Sequence, residues 1–201
     1  MSQINILKTG YGYEDEKGVY HAAATCTLVL HDQMNIIVDP GGPWEREDII
    51  EGLLKFGMEC EDIDVVVGTH GHSDHIGNLN LFPKAKQIVG FDINTGDSYE
   101  THHDFKSGLA YPLIEGKLEV LPTPGHMHHD VSLIVYDSLN SEHCVVGICG
   151  DLFENSEDDG VWQEISENVE LQLQNRNIIL DLCDHIIPGH GSMFRNPLKK
   201  Q

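Results

Sequence analysis

Thr69-His70-Gly71-His72-Ser73-Asp74-His75 is the stretch on which the reading of this chain turns. It follows the apolar, β-branched run Ile63-Asp64-Val65-Val66-Val67 and precedes Ile76-Gly77-Asn78-Leu79, which reads as a helix start. A strand that ends in three imidazoles and a carboxylate on one tight loop concentrates metal ligands in a small volume. Residues two apart on a strand point the same way, so His70 and His72 can converge on one ion. Asp74 and His75 come around the turn toward a second point close by. Neutral imidazole and ionised carboxylate suit zinc, iron or manganese. A polar loop without an ion would have to satisfy four such groups locally, which is costly.

The pattern recurs further along the chain. Leu118-Glu119-Val120-Leu121 reads as a strand running into Pro122-Thr123-Pro124-Gly125-His126. Cys144-Val145-Val146-Gly147-Ile148-Cys149 runs into Gly150-Asp151, and Asp184-His185-Ile186-Ile187 into Pro188-Gly189-His190-Gly191. His70, His126, Asp151 and His190 thus each follow an apolar strand in a turn containing glycine or proline. A sheet scaffold assembles a site at one edge in this way. His70, His72 and His126 offer three imidazoles for one ion. Asp74, His75 and His190 offer a mixed set for a second, with Asp151 able to bridge both. Two ions about 3.5–4 Å apart can hold a hydroxide between them, lower the pKa of that water and stabilise an oxyanion. Asp74 is the candidate catalytic residue, binding the nucleophile's metal or holding its proton. Asp39 is expected to orient a ligand histidine from behind.

Upstream, residues 22–30 read as one buried strand, which turns at His31-Asp32-Gln33 and returns through Met34-Asn35-Ile36-Ile37-Val38 to Asp39-Pro40-Gly41-Gly42. Ile49, Ile50, Leu53 and Leu54 give residues 46–56 a helical period, with Gly57 as a stop. A short helix is expected after Gly77, ending at Phe82-Pro83, and a strand at Gln87-Ile88-Val89. Residues 92–117 hold few apolar side chains and read as a long loop beside the site, expected to decide the substrate. Val131-Ser132-Leu133-Ile134-Val135-Tyr136 pairs with the strand at Cys144 as a hairpin. Leu171, Ile178, Ile179 and Leu182 give residues 161–182 a helical pattern with an apolar face.

The 201 residues suit one domain, spanning 1–201, and no run approaches the roughly 18 apolar residues of a membrane span. The first residues lack the basic-then-apolar layout of a secretory signal, so a soluble, cytoplasmic protein is expected. Five cysteines without a C-x-x-C pair make neither a disulfide framework nor a thiolate zinc site. Twelve basic residues against 33 acidic leave a formal charge of −21. Such a balance opposes long-range attraction to RNA or to an anionic membrane. No basic stripe offsets it; Lys84, Lys86, Lys199 and Lys200 come nearest.

The histidine heptapeptide, Thr123-Pro124-Gly125-His126, Gly150-Asp151 and Pro188-Gly189-His190-Gly191 together resemble the metallo-β-lactamase superfamily, in order and approximate spacing. The resemblance implies an α/β fold, an αββα sandwich of two mixed sheets flanked by helices with the metal site at one edge. It also implies two divalent ions, with zinc first and iron or manganese as alternatives. His70-Gly71-His72-Ser73-Asp74-His75-Ile76-Gly77-Asn78-Leu79, Leu81-Phe82-Pro83, Gly150-Asp151-Leu152-Phe153-Glu154 and Val161-Trp162-Gln163 narrow it to a short, stand-alone branch. That branch implies an endoribonuclease cutting single-stranded histone pre-mRNA at its 3′ end, a homodimer, and cytoplasmic or nuclear residence. The chain departs from nuclease relatives in lacking an inserted RNA-gripping domain and in its acidity. Two alternatives use the same residues: a thioester or lactone hydrolase of the glyoxalase II type, and a mononuclear iron persulfide dioxygenase. Asp151 stands where many zinc β-lactamases place a thiolate, which argues against antibiotic hydrolysis.

Overall fold

The computed structural model describes residues 2–138, 143–157 and 160–199. Runs such as Val65–Gly68, apolar at every position, need cover on both faces of their sheet. The architecture supplies it. The strands are β1 (Gln3–Lys8), β2 (Tyr11–Glu14), β3 (Tyr20–Ala23), β4 (Cys26–His31), β5 (Met34–Val38), β6 (Val65–Gly68), β7 (Lys86–Val89), β8 (Asp92–Thr95) and β9 (Ser98–Tyr99). They continue with β10 (Tyr111–Ile114), β11 (Leu118–Pro122), β12 (Val131–Val135), β13 (Val146–Gly150), β14 (His185–Pro188) and β15 (Phe194–Arg195). The α-helices are α1 (Arg46–Leu54), α2 (Ser73–Ile76), α3 (Val161–Glu164) and α4 (Val169–Leu182).

One sheet has the order β1-β4-β5-β6-β7-β8-β9 and is parallel only along β5-β6-β7. The other runs β10 to β15 in chain order and is parallel only between β13 and β14. Both are mixed, as expected. Inward-facing Val29, Ile36, Val38, Val65, Val67 and Ile88 of the first sheet meet Val120, Val131, Leu133, Val146, Ile148 and Ile187 of the second. The alternate residues Leu28, Ile37 and Val66 point outward and pack against Ile49 and Leu53 of α1. Ile134, Cys149 and Ile186 do the same against Ile179 of α4 and Cys183, which caps its C-terminus. Helix, sheet, sheet, helix: the αββα sandwich follows from a period of two with cover on both sides. Among the described residues no helix is long and apolar enough to cross a membrane.

Three expectations need correction. Residues 22–30 form two strands, not one. Ala24 and Thr25 break the run because Thr25 N–H donates to the Gly189 carbonyl (2.7 Å) and its hydroxyl to the Gly191 carbonyl (2.8 Å). Residues 92–117 are not a long loop: they contain β8, β9 and β10. These strands are only two to four residues long, β9 and β10 are sheet edges, and β8 and β9 carry mostly polar side chains, so the apolar signal is weak. The short helix expected after Gly77 is present as a 3-10 turn at Leu79–Leu81 ending at Phe82, and α2 is a separate turn before it, inside the histidine motif. The pattern over residues 161–182 is broken between α3 and α4, and Ile178 is exposed. The buried face of α4 is largely polar: Gln172, Asn175 and Arg176 beside Ile179. Lys200 lies outside the described residues.

Candidate metal centre

The motif turn is held from behind by one carboxylate. Asp39 stands just past β5 with a positive φ of 52° and is buried. Its Oδ1 accepts from Thr69 N–H (2.7 Å) and its Oδ2 from the Thr69 hydroxyl (2.9 Å). The same Oδ2 accepts from His75 Nδ1 at 2.8 Å, so Asp39 orients a ligand histidine, as read from the sequence. His70 Nδ1 lies 3.1 Å from the Thr69 hydroxyl, and His190 Nδ1 lies 3.0 Å from the Ala23 carbonyl. Each of these rings uses its Nδ1 on the scaffold, which leaves its Nε2 facing the site.

The structure brings all seven candidate residues together. Donor atoms of His70, His72, His126 and Asp151 lie within 4.8 Å of one another, and so do those of Asp74, His75 and His190. In the first set His70 Nε2 is 2.8 Å and His126 Nε2 is 3.2 Å from His72 Nδ1. Asp151 Oδ2 is 3.5 Å from His70 Nε2 and 3.4 Å from His126 Nε2. Four donors about 2.0–2.1 Å from one tetrahedral ion sit about 3.3 Å apart, so these edges match an ion cage. Asp151 Oδ1 turns to the second set, 3.1 Å from His75 Nε2 and 3.3 Å from His190 Nε2. Asp74 Oδ2 is 3.8 Å from His75 Nε2 and 3.9 Å from His190 Nε2, on a side chain that keeps 15% exposure.

The donor set fits divalent ions on a further observation. His75 Nε2 and Asp151 Oδ1 are buried and close, yet neither makes a hydrogen bond among the described residues. Asp151 is completely enclosed; burial alone would raise its carboxyl, but His75, His190 and His70 hold it well below the usual carboxylate range. Burial works against the charge of His190, and Asp151 still raises it to about 9. Burial and then the neighbouring His75 push His70 well below the ordinary imidazole value, leaving a neutral ligand.

Asp151 owes its place to two glycines and to α4. Gly150 has φ +51°, and a Cβ there would meet Thr69 Oγ1 at 2.2 Å; a Cβ on Gly189 would meet Asp151 Oδ1 at 1.9 Å. Gln172 Nε2 donates to the Asp151 carbonyl (2.9 Å), and an Arg176 guanidinium N–H to the Leu152 carbonyl (2.9 Å). Arg176 is itself sandwiched between Phe153 (4.3 Å) and Trp162 (4.5 Å). Cys149, two residues from Asp151, packs with Cys183 and Ile179 on the far face and does not reach the site.

Sequence reasoning overlooked Glu154. It is buried, and burial with Asp151 beside it pushes its carboxyl up to about 8. Its only sequence signal is a spacing of three from Asp151, which one tight turn brings to the same side. Of the other histidines, His128 pairs with Glu167, His129 stacks on Phe91 (4.7 Å) and His103 packs edge-on against Phe105 (4.4 Å). A cavity of about 520 Å³ lies beside the centre, walled by Phe91, Phe105, Met127 and Leu171, with Lys106 at its lining. It shares Met127, His128, His129 and Glu167 with a smaller space that reaches His70 and Gly71.

Comparison with known proteins agrees with this geometry. The family model described as the metallo-beta-lactamase superfamily matches residues 20–190. Metallo-beta-lactamase domain-containing protein 1 of Xenopus laevis is 40% identical over 194 residues, covering 96% of this chain and 81% of that protein. Among solved structures, a putative metallo-beta-lactamase from Thermotoga maritima superposes with a TM-score of 0.71 at 21% identity, covering 96% and 99% of the two chains. An N-acyl homoserine lactone hydrolase with product at its catalytic metal centre gives 0.65 at 18%, covering 94% and 92%. Strand-end ligands, sandwich and sequence lead to one conclusion: the chain belongs to the metallo-β-lactamase superfamily and is similar over nearly its whole length to metallo-β-lactamase domain-containing protein 1.

Proposed function

We propose that the chain is a binuclear metal-dependent hydrolase that cleaves phosphodiester bonds of single-stranded RNA, with histone pre-mRNA 3′ ends as the substrate its resemblance implies. The observation that carries the binuclear reading is Asp151, whose Oδ2 lies 3.4–3.5 Å from His126 and His70 and whose Oδ1 lies 3.1 Å from His75, with His190 Nε2 3.3 Å from both oxygens. His70, His72 and His126 would hold one ion, Asp74, His75 and His190 the other, and Asp151 both. Bound divalent ions activate water and polarise the scissile group. The protein's own part is to keep Nε2 atoms facing inward through Thr69, Asp39 and the Ala23 carbonyl. Asp74, at the open side, takes the proton of the attacking water and passes it outward. Dimerisation and cytoplasmic or nuclear residence belong to this proposal through the resemblance alone.

The test is incubation of metal-loaded protein with a single-stranded histone pre-mRNA fragment, with Asp74→Ala run beside it at equal metal content. Cleavage that the variant loses supports the reading; no cleavage at any salt concentration overturns it.

A second reading, hydrolysis of a small thioester or lactone, is favoured by the cavity beside the centre. Its apolar walls suit an acyl group, and the charge of −21 does not oppose a small substrate. Leu171→Trp, which narrows that cavity, then raises KM for an acyl thioester about tenfold and leaves RNA cleavage unchanged.

A further inference from the structure

A buried carboxyl normally finds a hydrogen-bond partner. Glu154 does not: its side chain is 6% exposed, and its Oε1 is buried without a partner among the described residues. Its other oxygen, Oε2, stands 3.9 Å from His190 Nε2, too far for a hydrogen bond. Two donors on one ion with bonds of about 2.0–2.2 Å can be separated by up to about 4.4 Å, so this distance suits a shared ion. Donor atoms of Glu154, Asp151 and His190 also lie within 4.8 Å of one another. The main chain holds Glu154 at the site, because its carbonyl accepts from His190 N–H at 2.8 Å.

We propose that Glu154 is an additional oxygen donor to the second metal position, and that it gives the two positions different metal preferences. The proposal rests on the binuclear reading above. The first position then has three nitrogens, from His70, His72 and His126, and one oxygen, from Asp151. The second has nitrogens from His75 and His190 and oxygens from Asp74, Asp151 and Glu154. Zinc favours four donors rich in nitrogen, whereas manganese favours more donors rich in oxygen. Offered both, the chain places zinc in the first position and manganese in the second.

The test strips wild type, Glu154→Gln and Glu154→Asp of metal and equilibrates each with one equivalent of zinc and an excess of manganese. The excess offsets the intrinsically higher affinity of zinc for any N/O site. Bound ions are counted by elemental mass spectrometry, and manganese is read by electron paramagnetic resonance. The expected result is one zinc and one manganese in wild type. Glu154→Gln keeps the zinc and loses the manganese, with a fall of about tenfold or more in affinity for the second ion. Glu154→Asp, with the carboxylate retained on a shorter stem, recovers part of the manganese. Metal-free melting curves within a few degrees of wild type separate loss of the ion from loss of the fold. Unchanged manganese in Glu154→Gln, or zinc at both positions of wild type, overturns the proposal and leaves the binuclear reading standing. One ion per wild-type chain overturns both.

Discussion

The turn at residues 69–75 and the turn at residues 150–154 do the same work by different means. Both follow a buried strand and both deliver metal-ligating side chains to one space, from opposite sheets of the sandwich. The first carries most of its chemistry within seven residues and is held by Asp39, a neighbour on the same sheet. The second contributes Asp151 and Glu154 and is held by Gln172 and Arg176 from a helix some twenty residues away. Local density of ligands makes a turn readable. Support borrowed from a distant helix leaves no local trace.

Replacing the residue that joins the two turns has the largest expected effect. Asp151→Asn keeps the volume but removes the charge from both donor sets. Metal content is expected to fall below two ions per chain, and kcat/KM by roughly 10²–10³-fold. Two ions retained with full activity would separate the turns and remove the bridge.

Asp39→Asn sharpens the contrast from the first side. It weakens the acceptor for His75 Nδ1 and Thr69, with an expected 10–100-fold loss of metal affinity by competition with a chelator. The melting point of the metal-free chain is expected to change less than in the next variant.

Arg176→Met attacks the second side. It leaves the buried Leu152 carbonyl without that donor and removes the cation between Phe153 and Trp162. The expected cost is about 3 kcal/mol, read as a fall in melting temperature of about 6–12 °C. If Arg176→Met melts like wild type, the second turn is as self-contained as the first.

The smallest effect concerns the His126 loop, clamped by Asp130, whose Oδ2 accepts from Gly125 N–H (3.1 Å) and Met127 N–H (2.7 Å). Burial pushes this carboxyl from 3.8 up to about 8. The folded state therefore binds its proton more tightly than the unfolded chain. That contribution to stability is complete below the unfolded value and is lost as pH rises toward 8. Asp130→Asn keeps an acceptor and cannot titrate, so urea midpoints of the metal-free variant should fall less between pH 4 and 8 than those of wild type. Parallel pH profiles would mean that Asp130 carries no such proton.

The acidity of the surface is where sequence and resemblance pull apart. A net charge of −21 opposes RNA at long range, while the resemblance names an RNA substrate. Capture at the metals would need short-range contacts, and Lys106 beside the cavity is among the few cations placed to make one.

By itself the sequence determined which candidate residues stand at the strand ends and that the sheets are covered. These depend on apolar periodicity and on ligand types concentrated in turns, both of which are local. Asp39 was legible as an orienting carboxylate because it too ends a strand. Tertiary structure decided what local pattern could not carry. The strands at 92–95, 98–99 and 111–114 are short and lie at or next to sheet edges, and an edge exists only once the sheet is built. The polar buried face of α4 contradicts an apolar helical stripe, because Gln172 and Arg176 are needed to satisfy carbonyls of a turn far away in the chain. Glu154 becomes a candidate ligand only when β13 and β14 pair in parallel and set the Asp151 and His190 turns side by side. A donor shared between turns is a property of that pairing.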